Sequence, residues 1–153
     1  MNRAKTQSAK QHPTLAEALN RFRAWAANGH ENSYGEWECD YEHWQEIYDA
    51  FDTGLDETPL QSTIEDILYA LARDNEIENL RCLLTARADV LIRLAPAALA
   101  SPESDARWQI AVSLGEVGSP AALDLLRHFV CDSDEYVRRR ALGAYAPHRS
   151  SES

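Results

Sequence analysis

The sequence predicts an all-α protein, a short stack of about four helical hairpins. Three observations point there. Eight segments place apolar residues at helical spacing between recognisable cap signals. Two of the hairpins repeat, with Ala106-Arg107 recurring as Val137-Arg138, a period of 31 residues. No stretch alternates convincingly between apolar and polar residues, and the 153-residue chain holds only six glycines and six prolines.

The helices follow in order. Residues 1–13 are polar and aperiodic and read as a tail, with one domain over 14–147 and a second tail over 148–153. The first helix spans about Thr14 to Asn28. Thr14-x-x-Glu17 has the form of a capping box, and Gly29 suits a left-handed stop. Leu15, Leu19, Phe22, Trp25 and Ala26 share one face. The second helix spans about Asp40 to Phe51, with Asp40 as N-cap and Gly54 beyond its end. Tyr41, Trp44, Ile47, Tyr48 and Phe51 form its apolar stripe, and Glu42, Glu46 and Asp49 lie opposite.

A third helix begins after Thr58-Pro59 or at Ser62-x-x-Glu65 and buries Leu60, Ile64, Ile67, Leu68 and Leu71. The fourth, about Glu76 to Thr85, presents Ile77, Leu80, Leu83 and Leu84. The fifth, about Ala88 to Ala100, contains Pro96, which is expected to kink or split it. The sixth runs from about Ser104 to Val117 and stops at Gly118. Ser119-Pro120 supplies an N-cap and a first-turn proline for the seventh, through about Cys131. After the turn Asp132-Ser133-Asp134 the eighth runs to about Ala146, before Pro147.

A period near 30 residues marks a unit that buries its apolar face only by stacking on its neighbours. The stretch GSPAALDLLRHFVCDSDEYVRRRALGAYA resembles the short HEAT-like repeat of phycobilisome-lyase-type proteins. That repeat reads G-x-P-x-A, an apolar helix, a D-x-D turn, then V-R and an alanine-rich helix. The resemblance covers about residues 101–146 in two copies, the first being SPESDARWQIAVSLGEVG. It implies a short right-handed α-solenoid. It also implies that Asp132 pairs with Arg138, that Arg107 is the equivalent arginine, and that all three are structural. Ser101 stands where the earlier copy would carry the aspartate.

Charge is distributed unevenly. The formal net charge is −10, yet residues 1–30 carry five Lys/Arg and one acid. Residues 31–79 carry fifteen Asp/Glu against Arg73 alone, and the remainder is balanced. An acidic field repels phosphate backbones and attracts basic partners. No apolar run reaches the length of a membrane span, and the N-terminus has no apolar segment of a secretory signal. The expected location is cytoplasmic, with no membrane and no nucleic-acid partner. Cys39, Cys82 and Cys131 are widely spaced and form no Cys-x-x-Cys pair. Cys82 and Cys131 are expected to be small core residues.

No constellation argues for chemistry. His30-Glu31 resembles the His-Glu pairs that bind iron in a HEAT-type hydroxylase, but one pair supplies too few ligands. Asp132-Ser133-Asp134 lacks the later glycine and glutamate of a calcium loop. His43 and His128 have no nucleophile implied beside them. Arg138-Arg139-Arg140 is the one basic cluster, and its residues point in three helix directions. No metal, cofactor or catalytic residue is expected.

The run from Glu36 to Trp44 is dense in acids and aromatics. Tyr41 and Trp44 fit the core stripe, whereas Trp37 precedes the helix and fits an exposed anchor. For Glu36, Glu38, Glu42, Glu46 and Asp49 a binding role and a solvated face both fit. The expected function is non-catalytic binding of a protein with a basic surface. A sharper form is an immunity protein or antitoxin that masks a basic toxin, since opposite charge speeds association. HEAT-like folds are used among bacterial immunity proteins, which is analogy only. The alternative implied by the resemblance is a bilin-lyase-like or chaperone-like subunit.

Overall fold

A computed structural model describes residues 11–28, 41–56 and 63–151. Among these residues lie eight α-helices: α1 (Leu15–Ala27), α2 (Trp44–Gly54), α3 (Ile64–Arg73), α4 (Asn79–Thr85), α5 (Ala88–Leu99), α6 (Ser104–Val117), α7 (Pro120–Phe129) and α8 (Glu135–Tyr145). A 3-10 helix over Ala146–Ser151 follows.

Consecutive helices pair as hairpins, and the hairpins stack in two layers. The odd helices touch in the order α1, α3, α5, α7, and the even ones in the order α2, α4, α6, α8. This is the helical solenoid the periodicity predicts. Each helix has one neighbour across its hairpin and others along its layer, so apolar burial forms one continuous core from Leu15 to Ala141. Burying a Leu, Ile or Phe in it stabilises the fold by about 1.5–3 kcal/mol per side chain.

Local signals account for several boundaries. The capping box at Thr14 is formed: its hydroxyl accepts from Glu17 N at 3.2 Å, and Glu17 Oε2 accepts from Thr14 N at 2.9 Å. Ser119 Oγ accepts from Ala122 N ahead of Pro120, and Gly118 closes α6 at φ 65. Asp134 caps α8 by accepting from Val137 N at 3.0 Å.

Other boundaries differ. The second helix begins at Trp44, after His43, and runs through Gly54. The expected cap at Asp40 lies outside the described residues, as do Gly29, Thr58, Pro59, Leu60 and Ser62. The fourth helix begins only at Asn79, because Glu78 adopts the left-handed conformation, φ 60, and breaks the run. Ile77 therefore falls outside the helix and is 56% exposed rather than buried. The α5 helix is not split at Pro96. A proline removes one ladder bond and crowds the carbonyl four residues back, at about 3 kcal/mol. Burial of Leu91, Leu94, Ala95 and Ala98 outweighs that cost. Cys82 and Cys131 are exposed, which corrects their expected place in the core.

Two helices set the character of the stack. The centre is α6, which touches α3, α4, α5, α7 and α8. Ala106, Ile110, Ala111, Ser113, Leu114 and Gly115 are all buried on it, which is why it lacks a one-sided stripe. Where α6 meets α8 the approach is close: a methyl group added at Gly115 would stand 2.7 Å from Ala144 Cβ. At the other end, α1 and α2 pack through aromatics. Phe22 meets Tyr41 edge-on at 5.0 Å and Trp44 at 5.4 Å. Aromatic contacts of this kind add about 0.5–1.5 kcal/mol beyond area burial. They fill a volume that small residues fill between α6 and α8.

Candidate protein-binding surface

Arginines join hairpin to hairpin. Arg23 reaches from α1 to Asp66 on α3 at 3.1 Å, and Arg73 from α3 to Glu103 ahead of α6 at 2.7 Å. Arg81 on α4 takes Glu116 on α6 at 2.8 Å and its own neighbour Glu78 at 2.7 Å. Desolvation by burial lowers the Arg81 pKa, but the bonds and charges of Glu116 and Glu78 together outweigh it, and the net shift is upward. Arg87 holds the C-terminal end of α2 through Asp52 at 2.8 Å and Asp56 at 3.3 Å.

The tightest of these joints is at the repeat. Arg107 grips Asp132 with two parallel bonds, Nε to Oδ2 at 2.9 Å and Nη2 to Oδ1 at 3.1 Å. Its Nη1 donates to Ser101 O at 2.6 Å. Arg138 makes the equivalent carbonyl bond, Nη1 to Asp132 O at 2.7 Å, and another to Ser133 O at 2.9 Å. Asp132 and Arg138 are thus joined through the Asp132 carbonyl and not through its carboxylate. Both arginines clasp the turn six residues behind them, but the Asp132 carboxylate turns to the previous hairpin. Arg107 reaches it there with a planar fork matched to a carboxylate. The expected equivalence of Arg107 and Arg138 is what the carbonyl bonds display.

Against this background the acids of α2 divide. Glu46 is neutralised by Arg21 at 2.6 Å. Asp49 accepts from Gln45 Nε2 at 3.0 Å and has no arginine or lysine beside it among the described residues. The Glu42 side chain is 86% exposed, lies 3.6 Å from His43 and lines a shallow pocket with Arg21 and Tyr41. So the three carboxylates are not displayed together on one helix, as the i, i+4, i+7 spacing suggests: Glu42 stands two residues ahead of α2, Glu46 is engaged by Arg21, and Asp49 alone of the three is on α2 without an arginine or lysine partner among the described residues. Glu36, Trp37 and Glu38 lie outside the described residues. Gln11, His12 and Pro13 lie beside Glu46, Asp49 and Ala50, which leaves Glu42 as the more open carboxylate.

The three arginines of the basic cluster are used differently. Arg138 clasps the turn, Arg139 is exposed, and Arg140 stacks over Trp108 at 4.2 Å while donating to the Tyr136 hydroxyl at 2.9 Å. A groove of about 560 Å³ opens where α1, α3 and α5 meet, lined by Arg23, Leu68, Tyr69, Ala97, Pro102 and Glu103 among others. Its arginine is spent: Arg23 faces the Tyr69 ring at 4.2 Å and pairs with Asp66, while Arg73, outside the lining, faces the same ring at 3.9 Å and pairs with Glu103. No group of three or more His, Cys, Asp or Glu able to hold a metal ion occurs among the described residues. His30-Glu31 lies outside them. No helix among the described residues is long and apolar enough to cross a membrane.

Sequence reasoning passed over Asp74. It is fully buried, accepting from Leu80 N at 2.7 Å and from the Tyr48 hydroxyl at 3.3 Å. It thereby stands in for the missing cap of α4, six residues away. A carboxylate between two apolar helices was the available signal.

Residues 91–151 match the family model described as HEAT repeats. This stretch covers α5 to α8 apart from the first three residues of α5, so the chain is HEAT-like in its clearest hairpins. No curated protein and no solved structure matches the chain.

Proposed function

We propose that this chain is a non-catalytic binding protein whose helical stack holds an acidic surface, centred on the start of α2, for a partner with a basic surface. The observation that carries this reading is the contrast among the acids. Asp66, Glu103, Glu116 and Asp132 each pair with a different arginine and Asp52 and Asp56 share Arg87, whereas Glu42 and Asp49 make no ion pair with an arginine or lysine among the described residues. Carboxylates left without cations within an acid-rich segment self-repel and weaken the free protein slightly. A cationic partner relieves that repulsion and associates faster for it. Masking of a basic toxin by an immunity protein or antitoxin is the sharper form of the same reading.

The test uses Glu42→Lys/Asp49→Lys, which leaves the Arg21–Glu46 pair and the core intact. Partners recovered from the native cell are measured against both forms at two salt concentrations. The original should associate faster, and its advantage should shrink as salt rises. Equal association rates for the two forms would show that the acids are merely solvated.

A further inference from the structure

The groove between α3 and α5 is a matter of side-chain size. On α3, Ile64, Glu65, Leu68 and Tyr69 recur at three- and four-residue spacing and share one face. Opposite them α5 offers only Ala97 and, at its C-terminal cap, Ala100. Alanines facing leucine and tyrosine leave room for the groove, about 560 Å³, within the roughly 300–1,000 Å³ of ligand-binding clefts. Leu68, 4% exposed, is its floor. Tyr69 is held as a wall, since the guanidiniums of Arg23 and Arg73 both stand over its ring. One period on, at the end of α7, the positions of Ala97 and Ala100 hold His128 and Cys131, so the repeat does not itself require alanine there. Charge in the lining is equally uneven. Arg23 is held by Asp66, and Glu103 by Arg73. Glu65 is exposed and makes no ion pair among the described residues, which leaves it as the one uncompensated charge of the groove.

We propose that this groove receives a segment of a partner protein, with an aromatic side chain seated between Leu68 and Ala97 and a lysine or arginine beside it at Glu65. The aliphatic floor and the Tyr69 wall favour an apolar anchor, and aromatic side chains bring the most contact area for the least lost freedom. Anchors of this kind, set in a pocket with a charged neighbour at its rim, carry most of the energy of protein interfaces. Charge complementarity selects the flanking residue. A cation meets a carboxylate without a partner, whereas an acid would meet Glu65 with both nearby arginines already engaged. The groove belongs to the odd layer, and Glu42 and Asp49 belong to α2 and its approach in the even layer. The inference therefore goes beyond the acidic-surface reading and does not depend on it.

The test titrates the isotopically labelled full chain with a blocked Trp–Lys dipeptide and follows chemical shifts by nuclear magnetic resonance. Shifts at Ile64, Leu68, Ala97 and Ala100 should move together and saturate, with a Kd on the order of 1 mM. Blocked Trp–Glu and Ala–Lys dipeptides should each bind roughly threefold or more weakly, the first for want of the ion pair and the second for want of the anchor. Glu65→Lys should reverse the preference between Trp–Lys and Trp–Glu. Ala97→Leu should fill the groove and abolish binding. Ala100→Leu, at an exposed position, provides the same test should Ala97→Leu disturb the fold, and circular dichroism checks each variant. Shifts that never saturate, shifts centred on Glu42 and Asp49 instead, or equal binding of Trp–Lys and Trp–Glu overturn the inference. So does binding that survives both alanine substitutions. Binding seen only in Leu60→Ser would mean that the chain's own residues fill the groove, and overturns it as well.

Discussion

Replacing Asp132 by Ala should be among the costliest single changes in the C-terminal half. The side chains of Arg107 and Asp132 are 10% and 6% exposed, so their pair is effectively desolvated. Removing one member strands a buried charge, at about 3–5 kcal/mol. The change also deletes the bond from Asp134 N to Asp132 Oδ1, 2.9 Å, a further 0.5–1.5 kcal/mol or about that. Relaxation that lets water reach Arg107, together with the surviving bond to Ser101 O, offsets part of this loss. The expected total is about 4 kcal/mol, a large share of the roughly 5–15 kcal/mol by which domains are stable. Arg138→Ala should cost only about 1 kcal/mol, because its partners are backbone carbonyls at the surface. The assay is urea unfolding followed by far-ultraviolet circular dichroism, run as two double-mutant cycles. Asp132 with Arg107 should couple by about 1–3 kcal/mol, and Asp132 with Arg138 should be additive within about 0.5 kcal/mol. The carbonyl that Arg138 uses survives when Asp132 becomes Ala. Coupling of Asp132 to Arg138 as large as to Arg107 would refute the assignment of the carboxylate to the previous hairpin.

Two glycines should respond in opposite directions. Gly115→Ala brings its methyl to 2.7 Å from Ala144 Cβ and 2.8 Å from Ala144 O, overpacking that costs about 1–3 kcal/mol against a helix-propensity gain of about 1. Gly143→Ala meets nothing within 4 Å and should stabilise by about 0.5–1 kcal/mol, both read in the same urea melts. Asp74→Ala removes the acceptor for Leu80 N and the Tyr48 hydroxyl and should cost about 2–3 kcal/mol, with amide exchange accelerating first in α4. Burial raises the Tyr41 pKa above 10.0, with Arg21 opposing and Glu46 assisting. The unfolded chain therefore ionises first, so this contribution is whole below pH 10.0 and falls as pH rises through the folded pKa. Tyr41→Phe should flatten the alkaline limb of a stability–pH curve; an unchanged limb would show that Tyr41 ionises freely in the fold.

What could be read along the chain is what local chemistry controls. Thr14 and Glu17 lie three residues apart and satisfy each other without help from elsewhere. Ser119, Pro120 and Gly118 likewise act within a turn. The 31-residue recurrence from Arg107 to Arg138 announces a stacked hairpin because a lone hairpin leaves its apolar face wet. Tyr41 and Trp44 fall on the buried stripe by spacing alone. Tertiary structure decided whatever depends on which side chain arrives from another helix. Asp132 is near Arg138 in the chain, but the fork of Arg107 reaches its carboxylate across the hairpin boundary, and a buried carboxylate goes to the best-matched cation. Glu46 shares helical spacing with Glu42 and Asp49 in the sequence, and it is Arg21, arriving from α1, that engages it. Pro96 breaks helices in isolation, yet α5 continues because Leu91, Leu94, Ala95 and Ala98 around it are fully buried. Ile77 is exposed because Glu78 turns left-handed just before α4, which lets Asp74, six residues back, cap a helix whose own sequence supplies no cap.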